Sequence, residues 1–218
     1  MEELHCFNCK NLIKIPKIKT LKKLYCSYTN INEIPETLNC LEELYCKSCK
    51  NLIKIPEIKT LKKLNCYNTN INKIPEELNC LEELNCSYCY NLRKIPEIKT
   101  LKKLNCSYCK NLIKIPEIKI LNILNCGATN INEIPEALNC LEELYCSYCK
   151  NLRKIPEIKT LKNLICSHTN ISEIPETLNC LEELICSRCE NLKKIPKIKT
   201  LKKLYCDKNI SILQINNS

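Results

Sequence analysis

Residues 101–116 read LKKLNCSYCKNLIKIP, and residues 121–135 read LNILNCGATNINEIP. Both stretches begin with LxxLxC and end with an Ile–Pro pair, and their first residues are twenty positions apart. The chain keeps this pattern at a fixed register from residue 1 to residue 206. We number the twenty-residue units as repeats 1 to 11 and count positions from the first residue of each. A fixed period of this length predicts a solenoid, in which each unit packs only against its neighbours.

The repeats are of two kinds. Six continue as CxNLxxIP, as in residues 9–16, and four continue as TNIxxIP, as in residues 29–35. The order in repeats 1 to 5 recurs in repeats 6 to 10, so residues 101–200 look like a second copy of residues 1–100. A pair of repeats, forty residues long, explains most of the pattern equally well.

LxxLxCxxTNI and LxxLxCxxCxNL resemble the leucine-rich-repeat signature LxxLxLxxN/CxL, with Cys at the third Leu position. The short period and the Ile–Pro pair look most like the repeats of bacterial effector proteins. The Lys, Asn and Ile bias, with Cys in the LxC motif, also resembles repeat proteins of giant DNA viruses that infect amoebae. The resemblance implies short parallel strands on a concave face, extended or 3₁₀ segments on a convex face, and little or no α-helix.

Physical arguments lead to the same architecture. Side chains alternate along a strand, so Leu4 and Cys6 are expected to point inward and residues 5 and 7 outward. Pro16 and its equivalents lack the N–H group that a helix needs, and twenty residues leave no room for a helix of several turns. We predict a solenoid over residues 1–206, with ten full repeats and a final strand, and a C-terminal cap or tail over residues 207–218.

Twenty-one cysteines fall on three positions of the repeat: eleven in LxC, six in CxN and four just before a Leu. A zinc site needs about four ligands that converge on one point, whereas these pairs recur along the stack. We therefore predict no metal and no cofactor, and buried thiols rather than disulfides. The sequence begins with MEELHCFNCK, without the features of a secretory signal, and no stretch is apolar enough to span a membrane. This favours a cytoplasmic protein, or one in a host cytoplasm if the viral resemblance holds.

Charges also follow the repeat. Positions 2 and 3 alternate between Glu–Glu and Lys–Lys, so that opposite charges are expected side by side in adjacent strands. The net charge of +10 is expected on the convex side, in two series of lysines. These are Lys14, Lys54, Lys94, Lys114, Lys154 and Lys194, and Lys19, Lys59, Lys99, Lys119, Lys159 and Lys199. Such a stripe is either a solvated face or a site for nucleic acid or anionic lipid.

Nine of the ten tyrosines occupy position 5, 7 or 8, which we assign to the concave face. Tyr among Ser and Asn is typical of recognition surfaces, although packing over the sheet edge is an alternative. Repeat 7 carries no charge or aromatic ring at these positions and predicts a shallow notch between Tyr108 and Tyr148. The predicted partner-binding residues are Tyr25, Tyr28, Tyr45, Tyr67, Tyr88, Tyr108, Ile123, Gly127, Ala128, Tyr145 and Tyr148.

The sequence offers no catalytic constellation. His5 and His168 are the only histidines and lie in distant repeats, and the single glycine excludes a Gly-rich phosphate loop. We predict a non-enzymatic module that binds another protein on its concave face; the viral or effector resemblance implies a host protein. The alternative is a basic scaffold for nucleic acid or anionic lipid through the convex lysines. End-to-end self-association through an uncapped first repeat is a further expectation.

Overall fold

A computed structural model describes residues 1–212 of the chain. Positions 3 to 5 of each repeat form a short strand. The strands are β1 (Glu3–His5), β2 (Lys23–Tyr25), β3 (Glu43–Tyr45), β4 (Lys63–Asn65), β5 (Glu83–Asn85), β6 (Lys103–Asn105), β7 (Ile123–Asn125), β8 (Glu143–Tyr145), β9 (Asn163–Ile165), β10 (Glu183–Ile185), β11 (Lys194–Ile195), β12 (Lys203–Tyr205) and β13 (Ser211–Ile212). Eleven of them form one parallel sheet in the order β1 to β10 and then β12. Each residue pairs with the residue twenty positions later, so Leu24 faces Leu44. The predicted solenoid is confirmed.

The core is a stack of equivalent side chains. Leu at positions 1 and 4 and Cys at position 6 are almost fully buried from repeat 2 to repeat 10, as is the Ile at position 11 or the Leu at position 12. Leu24 and Cys26, for example, have no exposed surface. Because these side chains alternate with outward-facing ones along each strand, they meet only when the repeats stack.

The opposite wall is built from extended segments and single turns. Ile15 and Ile34 are buried there, and the amide of Leu21 donates to the carbonyl of Ile18 at 3.1 Å to close one of the turns. No helix occurs in residues 1–212, as the Ile–Pro pairs predict. That part of the chain therefore contains no helix long and apolar enough to cross a membrane. The turns replace the 3₁₀ segments that the sequence also allowed.

The alternating charges form the predicted ladder on the sheet. Lys62 Nζ lies 2.8 Å from Glu42 Oε2, and Lys102 Nζ lies 2.9 Å from Glu82 Oε2. The hydrogen bond from Lys62 lowers the pKa of the Glu42 carboxyl below its ordinary value. The ladder stops at repeat 7, where Asn122 and Ile123 occupy these positions, and starts again at repeat 8.

The cysteines divide by position. Fourteen are buried, two are partly buried and five are exposed, and all twenty-one are free thiols. The buried cysteines fill positions 6 and 9, where the Cys49 thiol donates to the carbonyl of Cys26 at 3.1 Å. Burial raises the pKa of the Cys46 thiol well above its ordinary value. In residues 1–212 no three His, Cys, Asp or Glu side chains are grouped to hold a metal ion. The expectation of buried thiols therefore fits positions 6 and 9 of repeats 2 to 10, whereas Cys9, Cys40, Cys80, Cys140 and Cys180 are exposed.

Residues 207–212 leave the repeat and lie against repeat 10. Strand β13 pairs in parallel with β11, and Ile210 is buried. The amide of Arg188 donates to Asp207 Oδ2 at 2.6 Å. The remaining residues of the predicted cap, 213–218, lie outside the described part of the chain, and the division at residue 206 stays a prediction.

Candidate interaction surfaces

Position 5 of each repeat faces the concave side. From repeat 1 to repeat 8, rings and side-chain amides follow one another at this position. His5 stacks on Tyr25 with a centroid distance of 4.4 Å, and Tyr25 stacks on Tyr45 at 4.9 Å. The next four repeats carry asparagine at this position, and Tyr145 follows. We call the four residues the asparagine ladder; its members are Asn65, Asn85, Asn105 and Asn125.

The turn after each strand orients the asparagine ladder. Asn85 Oδ1 accepts a hydrogen bond from the amide of Ser87 at 3.1 Å, and Asn125 Oδ1 accepts one from Gly127 at 3.2 Å. Asn65 and Asn105 accept from the equivalent amides. Within residues 1–212 none of the four Nδ2 groups donates to a protein acceptor. The ladder therefore offers a row of amide donors, about 4.8 Å apart, to the concave side.

A cleft of about 370 Å³ lies over the asparagine ladder and ends at Tyr45 and Tyr145. Its wall at position 3 consists of Lys63, Glu83, Lys103 and Ile123. Glu83 pairs with Lys103 at 3.4 Å and approaches Lys63 at 4.0 Å. The cleft therefore combines amide donors, an excess of positive charge and two aromatic ends.

The two tyrosines at the ends are fixed in place by their hydroxyl groups. Tyr45 donates to Glu43 at 3.0 Å, and Tyr145 donates to Glu143 at 2.6 Å. The hydrogen bond to Glu143, followed by burial, raises the pKa of Tyr145 to about 12. Both rings stay neutral at physiological pH and are restrained by these bonds.

A second surface runs along the edge where the strands end. Positions 7 and 8 form a turn, and position 8 has a positive φ of 55–62° in all ten repeats although none of these residues is glycine. The left-handed conformation costs these residues roughly 1–2 kcal/mol each. A hydrogen bond to the next repeat offsets part of that cost, as in the amide of Tyr88, which donates to the carbonyl of Ser107 at 2.9 Å. Position 8 is thus held in the same geometry along the whole edge.

That geometry stacks neighbouring rings at position 8. Tyr88 and Tyr108 stack with a centroid distance of 4.3 Å and an angle of 13°, and Tyr148 and His168 do the same at 4.3 Å and 13°. Between the two stacks stands Ala128. We call this set the edge stack; its members are Tyr88, Tyr108, Ala128, Tyr148 and His168.

The predicted binding residues therefore fall on two surfaces, not one. Tyr45, Ile123 and Tyr145 line the concave cleft, and Tyr25 packs behind Tyr45. The others lie on the edge, because the strand ends at position 5 and positions 7 and 8 form the turn that follows it. The residues on the edge are Tyr28, Tyr67, Tyr88, Tyr108, Gly127, Ala128 and Tyr148.

The asparagine ladder as a unit was missed by the sequence analysis. Its signal was present, because the same polar residue recurs at an outward-facing strand position in four consecutive repeats. Gly127, which was predicted to contact a partner, also has a packing role. A Cβ atom there would lie 3.1 Å from the carbonyl oxygen of Ser147, so this glycine permits a close approach of two turns.

The convex lysines are exposed, but acidic side chains accompany them. Lys14 lies 3.9 Å from Glu33, and Lys94 lies 3.8 Å from Glu76. A series of glutamates at position 17 or its equivalent runs beside the stripe; it comprises Glu36, Glu57, Glu76, Glu97, Glu117, Glu136, Glu157 and Glu176. The excess of positive charge on this side is therefore interleaved with negative charge, which the sequence analysis overlooked.

The histidines have structural neighbours. His5 Nε2 lies 3.4 Å from Glu3 Oε2, and His168 stacks on Tyr148. Within residues 1–212 neither ring is hydrogen-bonded to a hydroxyl or thiol side chain. Among the described residues, no histidine is thus paired with a hydroxyl or thiol nucleophile.

Comparisons with known proteins bear on the fold. No protein-family model and no curated protein matches the chain. Among solved structures, the functional domain of InlJ from Listeria monocytogenes, described as including a cysteine ladder, has a TM-score of 0.66 and 20% identity over 90% of this chain and 55% of its own. The internalin InlF from the same organism has a TM-score of 0.68 and 17% identity over 87% of this chain and 68% of its own. YopM from Yersinia enterocolitica has a TM-score of 0.60 and 22% identity over 92% of this chain and 52% of its own.

The chain thus spans about half the length of InlJ and of YopM. At these identities the similarity establishes the architecture and leaves activity open. Together with the LxxLxC signature and the parallel sheet, it shows that this chain has the fold of leucine-rich-repeat proteins, with short repeats like those of the bacterial proteins named above.

Proposed function

We propose that this chain binds a protein partner in the concave cleft and has no catalytic role. The observation that carries the proposal is the asparagine ladder, whose Nδ2 donors are unpaired within the described residues while its Oδ1 atoms are fixed by the turn. Solvent-facing donors in a row suit a ligand with a row of acceptors, and the carbonyl groups of an extended peptide supply one.

The aromatic ends of the cleft suit the same ligand. Tyr45 and Tyr145 are restrained by Glu43 and Glu143, so little side-chain entropy is lost when a partner packs against them. Rigid tyrosines at the ends of a polar surface are frequent anchors in protein interfaces. The amide donors would then set the position of the partner, and the rings would provide most of the affinity.

The test is a selection of peptides against the 218-residue chain from a display library, followed by affinity measurements on variants. Asn105→Ala and Tyr145→Ala should each weaken the selected peptides by roughly tenfold, which corresponds to the loss of about 1.4 kcal/mol. The matched control replaces convex residues, with Lys54→Glu, Lys94→Glu and Lys154→Glu combined. Loss of binding in this triple variant alone, with a steep dependence on salt, would assign the function to the basic convex side instead.

We also propose that two copies of the chain associate end to end. The apolar residues that are only partly buried against the core belong to the first and last units of the solenoid: Leu4, Cys6, Leu12, Ile18, Ile198, Leu201, Leu204 and Cys206. The same units carry Glu2–Glu3 and Lys202–Lys203, so two copies stacked end to end would continue the charge ladder. Light scattering should show a mass that rises with concentration and falls with salt, and a constant monomer mass would refute this contact.

A reducing, cytoplasmic setting agrees with twenty-one free thiols and is part of the proposal. The identity of the partner, including a host protein, is likewise a proposal. Co-purification with the wild-type chain and with the Asn105→Ala variant from the natural cell is the measurement that identifies it.

A further inference from the structure

We propose that the gap in the edge stack is a slot for one aromatic side chain of a partner protein, an indole or a phenol. The inference deepens the proposed function and rests on it, because it names one group that the partner inserts. The slot lies between Tyr108 and Tyr148, over Ala128.

The first argument is spacing. Adjacent strands of a parallel sheet are about 4.8 Å apart, so position 8 of repeats 6 and 8 are about 9 to 10 Å apart. Tyr108 is stacked from behind by Tyr88 at 4.3 Å, and Tyr148 is stacked from behind by His168 at 4.3 Å. A ring placed midway between them would lie at almost the same distance from both. The slot therefore has the width of one missing ring in an otherwise regular stack.

The second argument is exposure. Tyr108 is 39% exposed and Tyr148 is 51% exposed, whereas Tyr88, which has ring neighbours on both sides, is not among the exposed aromatic residues. The extra exposed surface of the two tyrosines belongs to the faces that meet no ring. These faces are held apart by the fixed geometry of position 8, so the slot exists before a ligand arrives.

The third argument is charge, which selects the kind of ring. A lysine at position 10 reaches the side chain at position 8 of the following repeat: Lys10 lies 5.8 Å from the Tyr28 ring, and Lys50 donates to Asn68 at 2.5 Å. By the same relation, Lys110 is placed beside the slot. A cation there favours an electron-rich ring and disfavours a guanidinium group.

The strand and turn of repeat 7, residues 121–129, contain no charged residue, and Ile123 borders the concave cleft nearby. The strand and turn of repeat 7 offer a phosphate no cation of their own, and the slot has the width of a single ring, so an aromatic side chain suits it better than a whole nucleotide. We therefore commit to an aromatic residue of a protein, and a nucleobase is one of the outcomes that the test distinguishes.

Two features of the composition make the slot easy to observe. The chain has no Trp, so the fluorescence of a tryptophan probe reports on the probe alone. Ala128 and Ala137 are its only alanines, and Ala137 lies on the opposite wall in repeat 7. Methyl-labelled alanine thus gives one NMR signal in the slot and one internal reference.

The probe is N-acetyl-tryptophanamide, titrated into the full chain. We expect a saturable shift of the Ala128 methyl signal with a Kd on the order of millimolar, and no shift at Ala137. Adenosine monophosphate and N-acetyl-argininamide, tested in parallel, should bind at least several-fold more weakly. Absence of a saturable shift at Ala128, or preferential binding of either competitor, would overturn the proposal.

The matched variants are Ala128→Tyr, which closes the slot, and Ser48→Tyr, which makes the same kind of change in repeat 3. Both positions have the φ that Tyr88, Tyr108 and Tyr148 already adopt, so both variants should fold. Because Ala128→Tyr removes the reporting methyl group, binding to both variants is followed by the fluorescence of the tryptophan probe. Ala128→Tyr should weaken binding of the probe by tenfold or more, because the new ring occupies the site, and Ser48→Tyr should leave binding unchanged. An equal loss in both variants would refute the slot.

The same variants separate this inference from the proposed function. Peptides selected for the cleft should carry an aromatic residue and lose affinity in Ala128→Tyr. If these peptides lose affinity in Asn105→Ala and Tyr145→Ala but keep it in Ala128→Tyr, the cleft stands as the binding site and the slot does not.

Discussion

Repeats 6 and 7 are neighbours that share the buried residues of the LxxLxC motif and differ on the surface. Leu104 and Leu124 are both buried, as are Cys106 and Cys126. On the outside, Lys103 and Tyr108 of repeat 6 are replaced by Ile123 and Ala128 in repeat 7. Inner positions are constrained by two adjacent repeats, whereas outer positions meet solvent and are free to vary. In this chain the core therefore maintains the fold, and departures from the repeat on the surface mark the candidate sites.

Thiol reactivity should show the largest contrast between interior and surface. In the native chain, the five exposed cysteines should react within seconds, and the fourteen buried ones should react orders of magnitude more slowly, through opening of the fold. Titration with a disulfide reagent under argon, before and after denaturation, measures both classes. Cys140→Ser should remove one fast equivalent and Cys126→Ser one slow equivalent. More fast equivalents than the five exposed and two partly buried thiols would contradict this assignment.

Truncation of a core leucine should come next. Leu104→Ala and Leu124→Ala each leave a cavity among fully packed side chains, and each should lower the free energy of unfolding by about 2–5 kcal/mol. The two values should be similar because Leu104 and Leu124 occupy the same position between fully buried leucines and cysteines of adjacent repeats. Urea denaturation followed by circular dichroism measures both. Ile123→Ala, on the surface, is the control, and its free energy of unfolding should stay within about 0.5 kcal/mol of the wild type. A much smaller loss of stability in Leu124→Ala than in Leu104→Ala would show that repeat 7 packs differently.

The hydrogen bond of the buried threonine in the TNI repeats should have a smaller effect on stability. Thr129 Oγ1 donates to the carbonyl of Cys126 at 2.6 Å, so Thr129→Val should cost about 1 kcal/mol. Thr177 Oγ1 is buried and has no acceptor within the described residues, so Thr177→Val should be neutral or stabilising. The difference between the two midpoints in urea is the measurement. Equal costs would mean that the hydrogen bond of Thr129 contributes nothing beyond shape.

The charge ladder should give the smallest effect, and it is absent from repeat 7. Lys62→Met removes the hydrogen bond that lowers the pKa of Glu42, so this pKa should rise toward 4.5. Because the folded-state pKa is lowered, the ladder contributes stability above pH 4.5 and loses it as the pH falls through the folded value. Carboxyl-carbon NMR against pH measures the pKa of Glu42, with Lys102→Met as a control that should leave it unchanged. High salt should reduce the difference, and an unchanged Glu42 in Lys62→Met would contradict the pairing.

Much of the fold could be predicted because the same sequence pattern recurs in each repeat. The LxxLxC motif gave the strand position and the buried face, and Pro16 and its equivalents excluded a helix. The alternation of Glu42–Glu43 with Lys62–Lys63 gave the register between strands. The candidate sites were predicted less well. Tyr45 and Tyr145 were assigned to the concave side, where the structure places them, whereas Tyr108 and Tyr148 lie on the edge and the asparagine ladder was not recognised.

The sequence by itself determined which residues are buried and how the repeats align, because burial depends on a pattern that recurs within each repeat. Only the tertiary structure decided that position 8 adopts a left-handed turn, that Tyr108 stacks on Tyr88, and that Ala128 leaves a slot. These features depend on side chains twenty residues apart in the chain that lie within about 5 Å of each other in space. Ring stacking is set by the contact between adjacent repeats, and no single repeat contains that information.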